Sequence, residues 1–191
     1  MHKEMDHHAD TVRFGFWVYL MTDCVLFAAF FATYAVLRHN TFGGPSGHDL
    51  FDLPYVLGET ALLLTSSFTC GLAMLAMHRQ DKRQVMAWLG LTLVLGLSFL
   101  SMEVHEFRHL IYDGAGPQRS AFLSSYFSLV GLHGLHIAAG SLWLLVMLAH
   151  LATQSITPRL TRKLACFSLF WHFLDLVWIF IFTLVYLMGS L

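Results

Sequence analysis

Five stretches of nearly uninterrupted apolar sequence constrain this chain more than any other feature. They run from about Phe14 to Leu37, Tyr55 to Met77, Val85 to Ser101 and beyond, Ser120 to Leu151, and Leu164 to Met188. A helix rises ~1.5 Å per residue, so runs of this length cross a hydrocarbon layer of ~30 Å. In lipid, a backbone N–H or C=O finds no water, and only helices and closed barrels satisfy every such group internally. The runs are continuous, without the two-residue alternation of barrel strands. Charged residues make up only 12% of the chain, about half of the ~25% usual in soluble domains. The expected fold is therefore all-α: a polytopic membrane protein of five transmembrane helices.

The connections leave no room for a soluble domain. Arg38 to Pro54 carries the turn-rich Gly43-Gly44-Pro45-Ser46-Gly47, and His78 to Gln84 is a short basic turn. Arg108 to Arg119 holds Asp113-Gly114 and Gly116-Pro117, and Ala152 to Lys163 holds Pro158. Gly and Pro at these positions punctuate helices. Two segments are expected: a polar tail over 1–11, with His2, His7 and His8 as a solvated cluster, and a single five-helix domain over 12–191. The tail carries Glu4, Asp6 and Asp10 where a cleaved signal peptide would be basic, so the first helix is expected to be retained. There is no basic cluster for nucleic acid, and no inverted repeat or pair of broken helices of the kind transporters use.

Basic residues orient such a chain. With five spans, Lys3, Arg13, Arg79, Lys82, Arg83, Arg159, Arg162 and Lys163 fall on one side, and Arg38, Arg108 and Arg119 on the other. The richer side is cytoplasmic by the positive-inside rule. This predicts an N-terminus in the cytoplasm and a C-terminus outside.

The informative residues are the polar ones within the runs, because a charge at membrane depth must face protein, water or a partner. In Trp171-His172-Phe173-Leu174-Asp175-Leu176-Val177-Trp178, helical spacing puts Trp171, Asp175 and Trp178 on one stripe. That stripe reads as a polar helix–helix contact, with a proton or metal site as the sharper alternative. Asp23 lies about nine residues into the first run and is read as a buried or cleft-lining carboxylate, with proton transfer as the alternative. Glu59 lies near the opposite surface, where it could reach outward or accept a bond from a neighbouring helix. Glu103, Glu106 and His109 spell E-x-x-E-x-x-H, but a di-iron carboxylate site needs two E-x-x-H units and further carboxylates. With one copy, these residues read as a solvated helix end. His133 and His136 are three apart on the fourth helix, beside Gly131, Gly134 and Gly140, which permit close backbone approach. They are expected to hydrogen-bond across helices, to Glu103 or Asp175. The alternative is a bis-histidine haem b, with His133 or His136 paired to His172. Cys24, Cys70 and Cys166 stand singly in three runs and read as small buried residues. No nucleophile with an activating base and no phosphate-binding glycine loop is present. The residues alone point to a subunit of something larger.

Several segments together resemble subunit III of the haem–copper respiratory oxidases. They are Phe14-Gly15-Phe16-Trp17, Met21-Thr22-Asp23-Cys24-Val25-Leu26-Phe27, Gly131-Leu132-His133-Gly134-Leu135-His136 with Gly140-Ser141, Trp171 to Trp178, and Gly189-Ser190. The likeness covers almost the whole chain after the tail and is greatest to the cytochrome bo-type ubiquinol-oxidase branch. Mitochondrial-type members have seven helices, and this chain has room for five. Asp23 stands where cytochrome c oxidases usually carry glutamate, one methylene longer. The resemblance implies a non-catalytic subunit of a proton-pumping complex that oxidises ubiquinol and reduces oxygen to water. Haems and copper would sit in subunit I, with none in this chain. Subunits I, II and IV would be partners, and phospholipid, with quinone a further candidate, would bind nearby. Asp23, Glu59, Glu103, His133, His136, His172, Asp175 and Trp178 would then be internal polar contacts or cleft lining.

Overall fold

The computed structural model describes residues 2–41, 43, 52–153 and 156–190, with the side chains of 2–10, 12 and 13 left aside. Helix α1 spans His2–Leu37, α2 Leu53–His78, α3 Lys82–Tyr112, α4 Ala121–Thr153 and α5 Pro158–Ile181. A π-helix, Phe182–Leu187, continues α5 without a break. The described part is helical, without strands, and five helices are long and apolar enough to cross a membrane. The backbone of α1 already begins at His2, so the helix takes in the polar N-terminal stretch. Most of the glycine-rich loop expected after Arg38 lies outside the described residues.

Local chemistry explains the boundaries. Asp81 caps α3, its carboxylate accepting from Arg83 N and Gln84 N at 3.1 and 3.3 Å. These are amides that a helix start leaves without partners. Thr157 does the same for Leu160 N at 3.3 Å, and Pro158 follows where its missing N–H costs nothing. Gln80 makes the α2–α3 turn with φ 58°. At the far end of α3, Gly114 takes φ 73°. There Ala115 N donates to Leu110 O at 2.9 Å and Gly114 N to Ile111 O at 3.1 Å. This is the Schellman ending, which requires a left-handed residue that glycine adopts without steric cost.

Helices α2 and α3 form the most extensive contact, α5 packs on both α2 and α4, and α1 lies at the periphery against α4 and α5. An odd number of spans leaves two unlike ends. The N-terminal side carries the α2–α3 turn and the C-terminal ends of α2 and α4. The C-terminal side carries the ends of α3 and the π-helix and the starts of α2 and α4. The core runs between these ends through Leu63, Leu89, Phe99, Tyr126, Leu144, Phe167, Trp171 and Trp178, all within 1% of complete burial.

Candidate functional site

Helix α5 is fastened to α2 by hydrogen bonds in register. Trp171 Nε1 donates to Ser66 Oγ at 3.0 Å, and Trp178 Nε1 to Thr60 Oγ1 at 3.0 Å. The donors are two turns apart on α5 and the acceptors nearly two turns apart on α2, as antiparallel helices require. A third bond joins Ser67 Oγ to His172 Nδ1. Asp175 is 6% exposed and faces Ser67 and Cys70 of α2. One step further, Thr69 Oγ1 and Thr92 Oγ1 bond at 2.8 Å between α2 and α3.

Glycines make room for the large groups in this seam. A Cβ on Gly96 of α3 would lie 2.9 Å from Cζ2 and Cη2 of Trp171. One on Gly140 of α4 would lie 3.0 Å from its Cζ3. The indole is thus clamped between two helices that carry no side chain at the point of contact. A Cβ on Gly134 would meet the Glu103 carboxyl, 2.8 Å from Cδ. Glu103 therefore reaches across to the bare backbone of α4.

The histidines depart from expectation. None bonds to Glu103 or Asp175. His136 Nδ1–H donates to Leu132 O of its own helix at 2.7 Å, and its Nε2 lies 3.9 Å from Asp23 Oδ2. His133 is wholly enclosed, with ring centroids of Trp178 at 5.2 Å, Phe99 at 5.9 Å and Phe27 at 6.4 Å, and neither ring nitrogen has a hydrogen-bond partner. His172, expected to be buried, is exposed at the bundle surface. It lies about 200° around α5 from Phe170, which packs toward His136. The imidazoles proposed as a haem pair therefore point to different surroundings, and aromatic rings occupy the space beside His133. The arrangement does not fit a bis-histidine haem.

The acidic residues at the C-terminal side also differ from expectation. The E-x-x-E segment of α3 is not a solvated helix end. Glu103 is 2% exposed and Glu106 is partly buried. Glu59, expected to reach outward or accept a bond, is fully buried, and neither of its oxygens has a partner. The cause is tertiary: α2, α3, α4 and the π-helix converge here and seal what a lone helix end would leave wet. Tyr186 OH donates to Glu106 Oε2 at 3.0 Å, and Tyr126 OH lies 2.9 Å from Tyr186 OH. Sequence reasoning missed both tyrosines, and the only available signal was a tyrosine near the C-terminal-side end of each of two apolar runs. His109 turns away and pairs with Asp113 at 2.9 Å. Among the described residues, no three His, Cys, Asp or Glu side chains are placed to hold one metal ion.

Fold and contacts together define the class: a polytopic five-helix membrane bundle in which a set of intramembrane polar groups joins helix to helix. Comparison with known proteins makes this specific. The family model for cytochrome c oxidase subunit III matches residues 2–190, and the chain belongs to that family. It is 62% identical to the cytochrome bo(3) ubiquinol oxidase subunit 3 of Pseudomonas aeruginosa, over 97% of this chain and 88% of the relative. It is 55% identical to the protein of that description from Pseudomonas putida, over 93% of this chain and 86% of the relative. For that from Buchnera aphidicola the figure is 47%, over 92% and 90%.

Proposed function

We infer that this chain is the accessory third subunit of a proton-pumping haem–copper ubiquinol oxidase, packed on subunit I beside subunits II and IV. The observation that carries the reading is the 62% identity, across almost the full length of both chains, to a subunit 3 of a cytochrome bo(3) ubiquinol oxidase. Polar groups of α5 bond to Ser66, Ser67 and Thr60 of α2, which suits a packing role. Haems and copper belong, in this reading, to subunit I. The subunit covers apolar surface of subunit I and stabilises it during turnover.

Phospholipid binds in the crevice of about 200 Å³ between α1 and α4, lined by Phe30, Thr33, Leu37, Ser124 and Ser128. Its apolar walls suit an acyl chain, its hydroxyls suit a glycerol ester, and a quinone tail would meet the same walls. The N-terminal side faces the cytoplasm of a bacterial inner membrane, a reading supported by the excess of Lys and Arg on that side. Asp23 then lies toward the cytoplasmic half of α1, 7% exposed, with His136 beside it. From there it shapes proton access to the catalytic subunit.

The test is an optical spectrum with haem and copper analysis on two preparations, the chain expressed alone and the tagged chain drawn from its native membrane in mild detergent. Haem and copper only in the second, with larger chains and ubiquinol oxidation, are the expected result. Stoichiometric haem on the isolated chain would overturn the reading in favour of a haem-b anchor.

A further inference from the structure

The sealed carboxyls at the C-terminal side are left unexplained by a packing role. Glu59 has two buried oxygens without a partner, and Glu103 has one, Oε2. Both lie within electrostatic range of Glu106. Buried polar atoms in native proteins nearly always have partners, in protein or in ordered water. Apolar residues would pack this position more favourably if packing were its only purpose.

Among the described residues, the titratable groups around them are mostly acids and phenols. On α2 the titratable neighbours are Glu59 and Tyr55, whose OH donates to Met102 O at 3.1 Å, with Asp52 just before the helix. On α3 they are Glu103, Glu106, His105 and His109. Helix α4 contributes Tyr126 and the π-helix Tyr186, while from α1 Tyr34 lies 3.5 Å from Val185 O, to which it donates. Among the described residues no Lys or Arg forms an ion pair with the three carboxyl groups. Three like charges crowded in a low-dielectric site do not all ionise together, so the mobile charge available to balance them is the proton.

A route to water is present. A hollow of about 180 Å³ at the bundle end is lined by Asp52, Tyr55, His105, His109 and Leu110, with Glu106 in its wall. That volume holds several waters. Glu106 is therefore shared between the hollow and the Tyr186–Tyr126 pair, at the boundary between water and the sealed carboxyls. The π-helix has the same orientation. Its wider turn, of the kind often found at functional sites, keeps Tyr186 over Trp178, ring centroids 6.1 Å apart, with its hydroxyl on Glu106.

We propose that Glu59, Glu103 and Glu106, with Tyr126 and Tyr186, form a proton-exchange site hydrated through this hollow from the C-terminal side of the bundle. Its ligands are water and protons. Protons pass between the hollow and Glu106, and from there, through bound water, to Glu103 and Glu59. No covalent bond to carbon changes.

The test is infrared difference spectroscopy of the intact oxidase complex, oriented in liposomes, with pH stepped on one side at a time. The expected result is a protonated-carboxyl band that shifts in D2O and responds to pH on the C-terminal side. That band should lose intensity in Glu59→Gln and in Glu103→Gln, and change frequency in Tyr186→Phe. Retention of the subunit in each variant complex is checked by gel. The D2O exchange of the unaltered complex needs no substitution and stands even where a variant fails to assemble. A band that responds only from the N-terminal side, no exchange in D2O, or full intensity in both assembled glutamine variants would overturn the proposal.

Discussion

Gly96→Ala tests how the α5 seam is held. The added methyl would lie 2.9 Å from two ring carbons of Trp171, and the ring has nowhere to go. Its Nε1 is tied to Ser66, and its far edge already rests on Gly140. Overpacking a filled site costs about 1–3 kcal/mol, while replacing glycine by alanine within a helix returns about 0.5–1 kcal/mol. The net effect is a loss of up to about 2.5 kcal/mol, which for a chain of this size lowers Tm by up to roughly 10 °C. Gly90→Ala is the matched control: it lies on the same helix, nothing stands within 4 Å of its would-be Cβ, and only the helix gain remains. The two substitutions should therefore move Tm in opposite directions.

Trp171→Phe removes Cζ2 and Cη2, so adding Gly96→Ala to it should cost much less than in the native background. Residues in direct contact couple by about 0.5–3 kcal/mol in such a cycle. Thermal unfolding in mild detergent, followed by tryptophan fluorescence, reads all four. If Gly96→Ala is as stable as Gly90→Ala, or if the double substitution is additive, the clamp is not what holds α5.

Other contacts make equally definite claims. Trp178→Phe keeps ring packing on Phe99, at 4.6 Å, but loses the bond to Thr60; a loss of about 1 kcal/mol is expected, and adding Thr60→Val should cost little more, read by the same unfolding assay. His133→Phe should be neutral or stabilising, because both ring nitrogens lack partners within a cage of aromatic rings; a fall in Tm above about 4 °C, or about 1 kcal/mol or more, would show that the imidazole makes an essential bond. Asp23→Asn should leave the subunit in the complex while slowing proton uptake or hastening inactivation during turnover; unchanged proton uptake and lifetime in pH-electrode and oxygen-consumption assays would remove Asp23 from any proton role.

What was legible in the sequence follows from periodicity. The helical stripe of Trp171, Asp175 and Trp178 could be read off because α5 keeps a regular 3.6-residue turn through it, and all three are buried. The glycines of α4 were legible as points of close approach, but what approaches was not. Trp171 comes from α5 and Glu103 from α3, and neither pairing leaves a trace in local pattern. The E-x-x-E segment looked solvated because it lies near a helix end, and only the convergence of its neighbours seals it. His133 and His136 share a spacing, but not an environment. The π-helix carries no composition signal of its own, so the position of Tyr186 on Glu106 could not be anticipated.

The bonds between α2 and α5 also bear on how the chain is made. Ser66 and Trp171 are 105 residues apart, and Thr60 and Trp178 118 apart. A growing chain therefore inserts four helices before the last one can close the bundle. Until it arrives, the partners of its two indoles on α2 have no tertiary contact to make, and the groove that will take Trp171 between Gly96 and Gly140 stays open to lipid. Chains cut short before α5 lack the indole that fills the space between Gly96 and Gly140. Closure by α5 makes the arrival of that helix a condition for compactness of the bundle.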